Sequence, residues 1–170
     1  MDRRIGVVKH KRVLADRERR LIHDLYPSLR RFAAVVGPVD VEPDDLVQEA
    51  LFRALRHGPL TDLTFPTAYL KRCILNLSKD QVRSIVRRRR AVVALAATTE
   101  AFCEAYPSDV VELMELPPQT RAVLYLREIE GRPFGEIGEI VGCTEKAARN
   151  RASRGRKRLR RILEETNATT

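Results

Sequence analysis

Three observations predict an all-α chain built as two small helical domains joined by a flexible linker. Helical periodicity runs almost throughout. Alternating strand patterns are absent. The charge map falls into two basic blocks separated by an acidic stretch. Residues 1–20 carry a net +5 and residues 21–90 a net +4; residues 91–120 carry −5 with no Lys or Arg, and residues 121–170 carry +5. The full 170 residues sum to +9. The organisation read from these signals is a basic extension at 1–17, a first helical domain at 18–92, a linker at 93–107, a second at 108–165 and a tail at 166–170.

The elements follow in order. Leu21, Leu25, Leu29, Phe32 and Val36 recur at steps of three and four. They predict one helix over 13–36, or two joined at a bend, since Pro27 lies inside and removes a backbone donor. Gly37-Pro38 ends it. Pro43, Asp44 and Asp45 suit a helix first turn, and Leu46, Val47, Ala50, Leu51, Ala54 and Leu55 give the buried stripe of a helix over 42–57. A long helix starts near Phe65-Pro66, with Tyr69, Leu70, Cys73, Ile74 and Leu77 as its apolar face, and runs out in Arg87–Arg90. A short helix over 108–116 and a longer one over 119–129 flank Pro117-Pro118. Gly131 stops the latter, and a further short helix covers 134–141. Gly142 closes that one, and Thr144 is placed to cap a final helix from Glu145 to about Glu164.

Several function classes drop out. No apolar run is long enough to span a membrane, and Met1-Asp2-Arg3-Arg4 leads into no apolar signal core, which argues for a cytoplasmic protein. Cys73, Cys103 and Cys143 are odd in number and widely spaced, so reduced thiols are expected rather than a disulfide framework or a zinc site. His10, His23 and His57 lie at no catalytic spacing from a Ser, Cys or acid. No phosphate-binding glycine loop or metal-ligand cluster occurs, so no cofactor, metal or catalysis is expected.

The most informative segment is 134–159. A short helix, a tight turn at Val141-Gly142-Cys143 and a long helix make a helix-turn-helix pattern. Ile137, Ile140 and Val141 face Ala148, Ala152 and Leu159, and the small residues permit close crossing. The second helix of such a motif enters the major groove by its N-terminal residues. Eight cations and no acid lie between Arg149 and Arg161. Their mutual repulsion is relieved by a polyanion, which makes a phosphate backbone the natural partner. Arg149, near the helix start, is a candidate for base edges, since a guanidinium matches guanine in the major groove by two parallel hydrogen bonds. In the first domain Asn76, Asp80 and Arg83 share one helical face, ahead of a second basic end.

These residues bring a family into view. The chain resembles the extracytoplasmic-function sigma factors, small two-domain sigma subunits of bacterial RNA polymerase, over roughly residues 18–92 and 108–165. The stretch Asp44-Asp45-Leu46-Val47-Gln48-Glu49-Ala50-Leu51 is similar to the family's acidic signature in region 2. Phe65-Pro66-Thr67-Ala68-Tyr69-Leu70, followed by Asn76, Asp80 and Arg83, is similar to its −10-recognising stretch. Leu116-Pro117-Pro118, Arg121, Leu126-Arg127-Glu128, Glu130-Gly131 and Phe134 through Gly142 resemble region 4.

The resemblance implies a sigma factor without catalysis of its own, whose partners are core RNA polymerase and promoter DNA. Asp45, Gln48 and Glu49 would dock on the clamp of the polymerase's largest subunit. Tyr69, Asn76, Asp80 and Arg83 would serve the −10 element, where bases are captured out of the stack. Lys146, Arg149, Arg151 and Arg154 would read the −35 element as duplex. The acidic bridge matches the family's linker, and an anti-sigma factor is an expected inhibitor. Departures from the family pattern are Tyr69 in place of the usual Trp, Lys146-Ala147-Ala148-Arg149-Asn150-Arg151 at the recognition helix, Glu145 just ahead of it, and Gly135 and Gly138, each expected to weaken its helix by about 1 kcal/mol. Two other classes fit the residues less well. A free-standing helix-turn-helix regulator has no use for the Asp44–Leu51 signature. A single-strand RNA binder would need more stacking aromatics than the 5% present.

Overall fold

The structure, a computed structural model, describes residues 3–95 and 111–168, with side-chain environments over 15–84 and 112–165. The described residues are helices and turns, without a strand. Most of the linker assigned to 93–107 lies outside them, as do the side chains of Arg87–Arg90.

Helix α1 (Arg3–Val36) is continuous. Pro27 neither breaks nor restarts it; that residue is exposed, so the missing donor falls on the solvent side. The helix also takes in most of the basic extension. Leu29, Phe32, Ala33 and Val36 form its buried stripe. Helix α2 (Pro43–Leu55) has Pro at its first turn with Asp44 and Asp45, and buries Leu46, Val47, Ala50, Leu51 and Ala54. Leu55, expected in that stripe, is exposed. A short 3-10 turn (Leu60–Asp62), without a sequence signal, buries Leu60, whose N–H donates to Glu18 Oε1 at 2.6 Å. Helix α3 (Pro66–Leu95) starts where expected and runs past the arginine cluster.

Helix α4 (Val111–Met114) ends two residues before the expected 116, and the expected start at 108 lies outside the described residues. The helix expected over 119–129 divides into α5 (Pro118–Leu124) and a wide π turn (Tyr125–Ile129), with Glu130 N–H donating to Tyr125 O at 3.2 Å. The widened turn keeps Leu126 buried while Arg127, Glu128 and Ile129 face solvent. Gly131 follows at φ 67°.

Helices α6 (Phe134–Val141) and α7 (Glu145–Ala168) form the expected helix-turn-helix. Gly142 takes the left-handed conformation at φ 75°, and Ala147 N–H donates to Thr144 Oγ1 at 3.2 Å, as the cap assignment required. Gly138 is not merely a weak helix residue. A Cβ there would lie 2.6 Å from Cys143 O, so its absence permits the turn to close.

The two modules do not stand apart. One continuous core joins Phe32, Ala33, Val36 and Ile74 to Ala122, Tyr125, Leu126, Ile137 and Ile140. Phe32 and Tyr125 meet edge to face, with centroids 5.8 Å apart. Arg121, 3% exposed, donates through Nη2 to Val36 O at 2.8 Å and Gly37 O at 3.0 Å, satisfying carbonyls at the end of α1. Lys71, with no exposed surface, pairs with Glu130 of the second module and lies 5.7 Å from the Phe32 ring centroid. Burial pulls the Lys71 ammonium below its ordinary pKa, and the hydrogen bond it donates to Glu130 offsets only part of that. Burial alone would push the Glu130 carboxyl up; its bonds from Arg132 and Lys71 outweigh this and hold it low.

Candidate nucleic-acid interface

Three surfaces carry the residues singled out by sequence. The first is the outer face of α2. Asp44 turns inward toward α1: Tyr26 Oη donates to its Oδ1 at 2.8 Å and Arg30 Nε at 3.0 Å. The Tyr26 hydroxyl contributes most to holding the Asp44 carboxyl low, and the same bond raises the Tyr26 pKa. Asp45 and Gln48 are exposed, and the half-buried Glu49 pairs with Arg53 at 2.6 Å. The signature thus divides into one acid that ties α2 to α1 and three polar residues on or near the outside. Phe52 and Leu55 add exposed apolar surface.

The second surface surrounds the start of α3. Phe65 is 71% exposed, an uncommon placement for a large apolar ring, and Tyr69 lies one turn on. They line a cleft with Leu63, Thr64, Ala68 and Arg72, and Glu139 and Ile140 of α6 supply its remaining wall. Asn76, Asp80 and Arg83 are exposed further along α3, with Arg83 and Asp80 3.5 Å apart. Sequence reasoning missed Arg72, which carries a cation to this cleft; nothing in its spacing marks it. Lys79 is also held here, and burial first, then the Arg83 charge, lowers its pKa; Arg151 of α7 contributes to the same repulsion across the module boundary.

The third surface is α7. Lys146, Arg149 and Arg154 are exposed. Arg151 differs: it is half-buried, and its Nη1 lies 3.7 Å from Cys143 Sγ. The eight cations are less bare than composition implied. Arg149 pairs with Glu145 at 2.6 Å, Arg156 with Glu128 at 2.9 Å and Arg161 with Glu165 at 3.6 Å. Arg154 and Arg158 line a groove with Glu115, Pro117, Thr120 and Asn150, between α7 and the start of α5. The arrangement can do what a second helix rich in guanidinium does: lie along a polyanion and present donors from its capped N-terminal end. Among the described residues no group of His, Cys, Asp and Glu is arranged to hold a metal ion, and no helix is long and apolar enough to cross a membrane.

Comparison with known proteins decides the family. The model for sigma-70 region 2 matches residues 21–90, and that for sigma-70 region 4 matches residues 112–159. The chain belongs to the extracytoplasmic-function sigma factors of the sigma-70 family. These are non-catalytic subunits. This sigma factor is 32% identical over 131 residues to the ECF RNA polymerase sigma factor SigJ of Mycobacterium tuberculosis, covering 68% of this chain and 41% of that one. It is 29% identical over 147 residues to EcfG of Rhodopseudomonas palustris, covering 81% and 80%. The chain therefore spans less than half the length of the first relative and four fifths of the second. Its fold is shared with the sigma factor RpoE of Bartonella quintana, solved with the anti-sigma factor NepR, at a TM-score of 0.65 and 21% identity over 86% of this chain and 96% of that one.

Proposed function

We propose that this sigma factor binds core RNA polymerase in the cytoplasm and directs it to promoters through separate −10 and −35 contacts. Asp45, Gln48 and Glu49, outside α2, meet the clamp of the largest subunit. Phe65 and Tyr69 receive a base displaced from the −10 element, and Asn76, Asp80 and Arg83 extend that contact along α3. Lys146, Arg149 and Arg154 face the −35 duplex, with Arg151 at the edge of the contact. A protein inhibitor of the anti-sigma class is a further partner in this reading, as one is present with the similar Bartonella chain.

The observation that carries the reading is the division of the acidic signature. Asp44 is consumed in the fold, whereas Asp45 and Gln48 are exposed beside Phe52 and Leu55. A free-standing DNA-binding regulator gives no reason to hold acids and apolar side chains together on an outer face.

Run-off transcription with purified core enzyme on genomic fragments tests the proposal. Added chain is expected to initiate from specific upstream regions and to co-elute with core. Glu49→Lys should elute apart from core while keeping its affinity for duplex DNA. A wild-type chain that binds duplex but never core would instead establish the regulator.

A further inference from the structure

We propose that Phe134 is a positioning residue for −35 readout: it holds Arg149 in the pose that selects a guanine. The proposal rests on the promoter-recognition reading above. Phe134 opens α6, outside the recognition helix, and is half-buried. Two guanidiniums address its ring. The Cζ of Arg149 lies 4.9 Å from the centroid and that of Arg127 lies 5.0 Å away. Arg127 is itself anchored, its Nη1 donating to Arg132 O at 3.0 Å. From within α7, Glu145 Oε1 accepts from Arg149 Nη2 at 2.6 Å.

An arginine on a solvent-facing helix ordinarily samples many rotamers, and binding must remove that freedom. Arg149 is instead held at two points, by a ring from the neighbouring helix and a carboxylate one turn back. Its guanidinium is thereby ordered before DNA arrives, which raises affinity for the one base that fits the pose. The hydrogen bond to Glu145 occupies one of five N–H donors, leaving a free edge for guanine O6 and N7. Glu145 also places a negative charge near the phosphates, which weakens attachment to duplex of any sequence. Ring and carboxylate together exchange general attraction for discrimination.

The test uses full-length chain assembled with core enzyme and a pool of duplex oligonucleotides randomised across the promoter region. Wild-type holoenzyme should select a dominant guanine at one −35 position, and Arg149→Ala should abolish that preference. Phe134→Leu, which keeps apolar bulk but no π face, should reduce it about tenfold, within the range of one bidentate base contact. Phe134→Tyr should restore it. Glu145→Gln, at an exposed position, should also loosen the preference while tightening binding to unselected duplex, and it carries the test alone if Phe134→Leu does not fold. Holoenzyme whose guanine preference is unchanged in Phe134→Leu or in Glu145→Gln, or absent in the wild type, overturns this inference and leaves the sigma reading standing. A chain that forms no holoenzyme overturns both.

Discussion

Helices α3 and α7 are both rich in cations, and they use them differently. On α3, Lys71 is enclosed between the modules against Phe32 and Glu130, and Lys79 is partly enclosed too. On α7, Lys146, Arg149, Arg154, Arg156, Lys157 and Arg158 all lie exposed. Composition treats these charges as equivalent, but burial separates them. A desolvated ammonium without its partner is strongly destabilising, whereas an exposed guanidinium contributes little to folding and remains available to a polyanion.

That contrast can be broken from either side. The largest expected effect is on α3: Glu130→Ala leaves Lys71 enclosed without its carboxylate and should destabilise the chain by about 3 kcal/mol in chemical or thermal unfolding. Replacing both partners, as Lys71→Met with Glu130→Leu, should recover most of that loss. An unaltered melting temperature in Glu130→Ala would place Lys71 among the surface cations. Next is the turn between the two helices of the DNA-binding motif. Gly138→Ala should destabilise by roughly 1–3 kcal/mol, because the new methyl meets Cys143 O. Gly135→Ala, which meets nothing within 4 Å, should stabilise by up to about 1 kcal/mol from helix propensity alone.

Acid sharpens the comparison further. Glu130 has a folded pKa below its ordinary 4.5. Its contribution is complete above that ordinary value and is lost as pH falls through the folded one. Melting temperature should therefore decline below pH 4.5 less steeply in Glu130→Gln than in wild type. Asp44, also held low, adds a decline of its own that Asp44→Asn isolates. Lys71 acts with the opposite sign: its depressed pKa opposes folding while the group is charged, and that opposition fades as pH rises toward 10.5. The smallest effect on the fold is expected on α7. Arg154→Ala should leave unfolding unchanged and flatten the salt dependence of duplex binding by about one unit. An unchanged slope would mean that Arg154 does not face phosphate.

Much of this was legible in the sequence, because local rules governed it. Apolar periodicity located the helices, Thr144 and Gly142 marked the ends around the turn, and the order of the region 2 and region 4 motifs named the family. What stayed hidden was set by distant contacts. Nothing in the neighbourhood of Lys71 announces that Glu130 lies against it, and Arg121, noted in the sequence only for its likeness to region 4, shows its carbonyl partners only when the end of α1 is brought to it. The π turn at Tyr125–Ile129 follows an ordinary helical pattern, and only the demand to keep Leu126 inside distinguishes it. Gly138 misled for the same reason, since propensity counts a missing side chain as a weakness and cannot see the carbonyl it leaves room for.

The contact of Phe32 with Tyr125 has a consequence for abundance. Any partner that engages the chain only when its halves are parted sees an apparent affinity scaled by the fraction of molecules already parted. Each increment of about 1.4 kcal/mol in the strength of that clasp moves the half-saturating concentration tenfold. A handful of enclosed side chains thereby sets the threshold of supply at which such a partner is captured.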